Sequence, residues 1–165
     1  MKETIMQDDP YQLAMQFEKI GQDLYANLAQ ISESSEAREL FARLSKEESA
    51  HFEFFQKLRM EITHGSMRMD RQAILNIMRT HILPVPGEVG ATALYGNRTK
   101  ALEMALQMEQ NSVLFYRDLA SVTLKYAGDI AKIVYEEQRH AQVILNLLKV
   151  VENINSQRNI QVAHN

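Results

Sequence analysis

Residues 14–51 read AMQFEKIGQDLYANLAQISESSEARELFARLSKEESAH, and residues 105–140 read ALQMEQNSVLFYRDLASVTLKYAGDIAKIVYEEQRH. The two stretches are versions of one unit. Each opens on Ala-x-Gln-x-Glu, at Ala14 to Glu18 and at Ala105 to Glu109, and a tyrosine follows seven residues after the glutamate, at Tyr25 and Tyr116. A Leu-Ala pair comes next, Leu28-Ala29 and Leu119-Ala120. Each copy closes on Glu-Glu-x-x-His, at Glu47-Glu48-x-x-His51 and Glu136-Glu137-x-x-His140. The copies are offset by 91 residues in their first half and by 89 in their second, so only the turn between them differs in length.

Within each copy the apolar residues recur at three and four, the helical period. Leu13, Phe17, Ile20, Leu24, Leu28 and Ile31 mark a first helix, which Asp8 or Asp9 can cap with Pro10 at an early position. Ser32 to Ser35 is a polar turn, and Leu40, Phe41, Leu44, Phe52, Phe55 and Leu58 carry a second helix to about Ile62. A third runs from about Thr99 through Leu102, Leu106, Val113, Phe115, Leu119 and Val122, and a fourth holds Ile130, Ile133, Val134, Val143, Ile144, Leu147 and Leu148. Between the pairs, residues 63–98 read as a long crossover: Ile74, Leu75, Ile77, Met78 and Ile82 suggest a short helix, stopped by Pro84-Val-Pro-Gly87. The expected fold class is all-α, a four-helix bundle of two helical hairpins. One domain spans residues 1–154, followed by a polar tail over 155–165 that frays.

Composition narrows the function. With 165 residues the chain is one domain's worth, and a net charge of -3 leaves no basic footprint for nucleic acid. The absence of cysteine removes disulfides, iron–sulfur clusters and thiol nucleophiles, and leaves only oxygen and imidazole donors for any metal. No stretch approaches a membrane span, and MKETIMQDDPYQ at the start lacks the apolar run of a secretory signal, so a cytoplasmic location with no membrane partner is expected.

The repeated residues then acquire a chemical meaning. On a helix, i and i+3 lie on one face, so Glu48 can join His51 at one point, and Glu137 can join His140. Glu18 lies 13 residues before Ile31 and Glu48 lies 13 after Ser35, which sets both at one depth, roughly 20 Å from the turn. In the second hairpin a turn at Gly128 would leave Glu109 and Glu137 mismatched by about 15 Å. Equal depth instead demands a turn at Ser121 to Leu124, with Thr123 as a cap and Gly128 inside the fourth helix. Four glutamates and two histidines meeting inside a bundle are the ligand inventory of a two-metal carboxylate site. Four buried carboxylates would repel one another, and two divalent cations balance them. Glu18, Glu48, His51, Glu109, Glu137 and His140 are therefore the candidate metal ligands. Tyr25 and Tyr116, two turns beyond their glutamates, are candidates to orient a ligand carboxylate or simply to fill the core.

Other polar residues receive plainer readings. Glu47 and Glu136 point about 100° away from the ligand glutamates beside them and read as surface charge. Glu103 reads as bundle surface. His64, His81 and His164 read as solvated histidines, and the nine methionines as flexible core filler.

The pattern Glu18-x6-Tyr25, Glu48-x-x-His51, Glu109-x6-Tyr116, Glu137-x-x-His140 resembles the ferritin-like superfamily, above all its rubrerythrin-like branch. The resemblance covers roughly residues 9–150. It implies a di-iron centre with Glu48 and Glu137 bridging, Glu18 and Glu109 terminal, and one histidine on each iron. Three departures narrow it. Rubrerythrins carry a cysteine-bearing rubredoxin domain and an extra glutamate three residues after the third-helix one, whereas this chain has no cysteine and has Ser112 there. Bacterioferritins share the six ligands but bind haem through a methionine that is here Ser49, so no haem is expected. The expectation is a non-haem protein holding two iron ions, with manganese or zinc as substitutes. It would react with O2 or H2O2 as a ferroxidase or peroxidase-like oxidoreductase, using an external electron donor for peroxidase turnover. The alternatives are a non-enzymatic iron-binding or sensing module, a di-iron hydroxylase, a di-manganese catalase, and a helical interaction protein with a vestigial site. By analogy a homodimer is expected, with the apolar side of residues 73–83 as candidate interface.

Overall fold

The computed structural model describes residues 9–63 and 98–163, with side chains described to Gln157. They form four α-helices: α1 (Pro10–Ile31), α2 (Ser35–Thr63), α3 (Arg98–Val122) and α4 (Ala127–Ala163), with a 3-10 turn at Leu124–Tyr126. Among the described residues there is no strand. The expected crossover and its short helix fall on residues 64–97, outside the described residues, as do His64, His81, His164 and the candidate dimer face.

Each boundary has a local cause. The Asp9 carboxylate accepts from the amides of Tyr11 and Gln12, at 3.0 and 3.1 Å, and Pro10 takes the first helical position, where its missing N–H costs nothing. At the far end of α1 the Ser32 hydroxyl donates to the carbonyl of Leu28 at 2.6 Å. The Ser34 hydroxyl accepts from the amide of Ala37 at 3.1 Å and starts α2. The last turn lies where the depth argument requires it. α3 stops at Val122, Thr123 precedes the 3-10 turn, and Gly128 is in the first turn of α4. Thr123 does not cap with its side chain. Its buried hydroxyl instead meets that of Tyr11 at 2.7 Å and ties the end of α3 to the start of α1.

α4 also departs from expectation. The helix continues through Asn155 to Ala163, over most of the stretch that reads as a fraying tail, although Glu152 to Gln157 are all exposed. A polar run can extend a helix already nucleated by a packed face, because each further residue fixed adds a hydrogen bond without repeating the cost of nucleation.

The core is one cluster drawn from all four helices, including Phe17, Leu24, Leu28, Phe41, Phe55, Leu102, Phe115, Leu119, Ile130 and Ile144. Cross-pairs set the helix directions. Tyr25 faces Glu109 and Tyr116 faces Glu18, so α1 and α3 are antiparallel. His51 faces Glu136 and His140 faces Glu47, so α2 and α4 are antiparallel too. Arg59 meets Asp9 and Gln12, which makes α1 and α2 an antiparallel hairpin. α2 and α3 therefore run the same way, and Thr63 and Arg98 lie at opposite ends of the bundle.

Candidate metal centre

Six side chains from four helices converge in the middle of the bundle. Glu18 comes from α1, Glu48 and His51 from α2, Glu109 from α3, and Glu137 and His140 from α4. All six are buried, the most exposed being His51 at 4%. They form two groups able to hold a metal ion: Glu18, Glu48, His51 and Glu137 in one, Glu48, Glu109, Glu137 and His140 in the other. Within each group the ligand atoms all lie within 4.8 Å of one another. Glu48 and Glu137 belong to both.

The oxygens of those two shared carboxylates divide between the groups. Glu137 turns Oε1 toward His51 Nδ1, at 2.9 Å, and Oε2 toward His140 Nδ1, at 3.4 Å. Glu48 turns Oε2 toward His51 Nδ1, at 3.7 Å, and Oε1 toward His140 Nδ1, at 3.0 Å. Glu18 Oε2 serves only the His51 side, at 3.4 Å, and Glu109 Oε1 only the His140 side, at 3.8 Å. A carboxylate with one oxygen on each of two centres has the geometry of a bridge.

The fit of this cluster to cations rests on what its atoms lack. Glu18 Oε2, Glu48 Oε1, His51 Nδ1, both oxygens of Glu137 and His140 Nδ1 are buried and make no hydrogen bond. Several stand close to one another in distance but not in hydrogen-bond geometry. Buried polar atoms are almost always paired, so six orphans aimed at one place are a strong sign of a ligand. They are all oxygen and imidazole donors, a set suited to iron, manganese or zinc.

Without cations, protons must carry the balance. Burial, and then the charges of Glu137 and Glu48, push Glu18 well above the usual carboxylate range, and the same causes raise Glu109. For Glu137 burial acts upward, but the facing His140 and His51 outweigh it and hold the group low. Burial would lower both imidazoles; the carboxylates around them win, raising His51 strongly and His140 to about 10. Two divalent cations satisfy the same four carboxylates and free both imidazoles to act as neutral donors.

The surrounding contacts cross between hairpins. Tyr25 donates to Glu109 and Tyr116 to Glu18, so each hairpin's tyrosine holds the other hairpin's single glutamate. Burial, then those carboxylates, raise both phenols well above their ordinary range, so they stay protonated as donors. Glu47 and Glu136 are not the plain surface charges that their own helices suggest. His51 Nε2 lies 2.7 Å from Glu136 Oε2, and His140 Nε2 lies 2.7 Å from Glu47 Oε2. A carboxylate on the outer nitrogen fixes a ligating imidazole with its inner nitrogen toward the metal. The repeat carries the signal, since it doubles the glutamate in both copies; the step of about 100° that turns each away from its own helix's ligands turns it toward the histidine of the helix opposite.

Gly21 completes the interior. A Cβ there would stand 3.2 Å from Glu48 Cδ and from Met108 Cε. A side chain at this position would need Glu48 and Met108 to give by a few tenths of an ångström, so the glycine leaves Glu48 its direction toward both histidines.

In comparisons with protein-family models, curated proteins and solved structures, none matches this chain. Among the described residues no helix is long and apolar enough to cross a membrane.

Proposed function

We propose that this protein is a non-haem di-iron carboxylate protein, ferritin-like in architecture and rubrerythrin-like in its ligand pattern, that oxidises Fe2+ or reduces peroxide. The observation that carries the reading is the division of the Glu48 and Glu137 oxygens between two groups of four ligands. One iron would lie with Glu18 and His51, the other with Glu109 and His140, with Glu48 and Glu137 shared. Two ferrous ions so placed can together supply the two electrons that reduction of H2O2, or the first stage of O2 reduction, requires.

The chain's own residues would do the rest. Tyr25 and Tyr116 hold Glu109 and Glu18 in their terminal orientation by donating to one oxygen of each. Glu136 and Glu47 hold the imidazoles. Phe41 packs on Tyr25, and Phe55 and Phe115 pack on Tyr116; these buried rings would keep bulk water from the cluster and lower the local dielectric, which strengthens each charge interaction within it. A peroxidase cycle further needs an external electron donor.

Among the described residues no observation singles out the hydroxylase or the catalase reading. The groove of about 440 Å³ between α3 and α4 is lined by Leu106, Val113, Leu114, Ala141 and Leu145 among others, and by none of the six cluster residues. It offers no substrate pocket beside the cluster. The deciding experiment is stopped-flow absorbance of the anaerobically iron-loaded protein mixed with O2 and, separately, with H2O2. Rapid oxidation of two iron ions per chain is expected with at least one of them. Bound iron inert to both oxidants would leave the non-enzymatic iron-binding reading in its place.

A further inference from the structure

The two halves of the cluster are alike in their inner ligands and unlike just outside them. Each histidine's outer nitrogen is held by a glutamate of the opposite helix at 2.7 Å. At His140 that glutamate is Glu47, and the Arg139 guanidinium donates to the same oxygen, Oε2, also at 2.7 Å. At His51 it is Glu136, and among the described residues no arginine or lysine is paired with Glu136. The repeat supplies the reason. At the offset of 89 residues, Arg139 stands where the first copy has Ala50, and both positions are exposed.

A carboxylate that accepts the outer N–H of an imidazole raises the donor strength of the inner nitrogen. An oxygen shared with a guanidinium has less charge to lend, and the guanidinium itself adds a positive charge near that half. We infer that Arg139 makes the two metal positions unequal: a divalent cation fills the Glu18–His51 position first, and the Glu109–His140 position is the weaker and the more readily emptied. This inference rests on the two-metal reading of the cluster. Its consequence is directional, since the ion that exchanges with solution is the one beside Arg139. Water screens the contact, because the Arg139 side chain is 48% exposed and that of Glu47 26%. The effect is accordingly set below what a fully buried outer partner of a metal ligand produces, at about three- to tenfold in affinity.

The test is titration of the metal-free full chain with Co2+, followed by calorimetry and visible absorption. Wild type is expected to bind two ions in unequal steps. Arg139→Ala should strengthen the second step about three- to tenfold and leave the first unchanged. Ala50→Arg, which sets a guanidinium beside Glu136, should weaken the first step and narrow the gap from the other side. Arg139→Lys, which keeps the charge, should retain most of the inequality. Two ions bound in every variant, with the ratio of the two constants unmoved, would overturn the inference and leave the two-metal reading standing. Failure of all the proteins to bind Co2+ would overturn both.

Discussion

At two core positions α2 carries rings where α4 carries aliphatic chains. Phe41 and Phe55 are fully buried, and the repeat offset sets them against Ile130 and Ile144, also fully buried. Gly21 stands against Ser112, Ala50 against Arg139, and the turn at Ser32 to Ser34 against the longer Thr123–Tyr126. The six inner residues, the two tyrosines and the two outer glutamates are the same in both copies. A core position asks only for apolar volume that its neighbours can accommodate, and many shapes answer. A centre with its carboxylates divided two ways asks for the same donors from both sides. Among the buried polar positions, sameness across a divergent repeat therefore marks the residues whose chemistry is needed twice.

The sharpest way to break that comparison is to remove a shared ligand and an unshared one. Glu137→Ala is expected to reduce bound metal at both positions, as measured by metal analysis after dialysis. Glu109→Ala should remove only the ion on the His140 side, leaving about one per chain by the two-group division of the ligands. Equal loss from the two variants would mean that Glu137 is not shared.

The two glycines give a second contrast. Gly21→Ala drives a methyl against Glu48 and Met108, each at 3.2 Å, and should cost about 1–3 kcal/mol of unfolding free energy as overpacking does. Gly128→Ala meets nothing within 4 Å and should stabilise, by at most about 1 kcal/mol. Urea unfolding of both variants reads the difference, and a Gly21→Ala protein as stable as Gly128→Ala would contradict the close approach of α1 to Glu48.

A third contrast sets the bundle end against its middle. Among the described residues the Tyr11–Thr123 hydrogen bond has no counterpart at the first hairpin's turn, where the Ser32 hydroxyl donates to the Leu28 carbonyl instead. Tyr11→Phe leaves the Thr123 hydroxyl, 1% exposed, without its partner, at a cost of about 1 kcal/mol. Burial raises the Tyr11 phenol to about 12, partly offset by its bond to Thr123. The folded form thus keeps a proton that the unfolded chain releases near 10. The sign follows: this contribution is whole below about pH 10 and is lost as pH rises toward 12. Unfolding measured across that window should show a shallower decline in Tyr11→Phe than in wild type.

Much of this was legible in the chain itself, for identifiable reasons. Asp9 with Pro10, and the serines of the first turn, are local signals that act through their own backbone. The turn at Thr123 followed from the depth of Glu109 and Glu137, because helical rise is fixed and a mismatch of three turns cannot be absorbed. What depended on the opposite helix was harder to see. Glu47 and Glu136 point away from their own neighbours and find a histidine across the bundle. Thr123 has a capping position, and its hydroxyl goes to Tyr11 instead. The tyrosines lie on the expected face, but the carboxylate each holds belongs to the other hairpin.

The central claim is that two cations occupy this cluster and share Glu48 and Glu137. Anaerobic titration of metal-free protein with Fe2+, read by bound iron per chain, tests it most directly. Saturation at two ions is expected in the wild type, with loss of tight binding at both positions in Glu137→Ala. Wild-type protein that binds no iron, or a Glu137→Ala variant that still binds two ions as tightly, would contradict it.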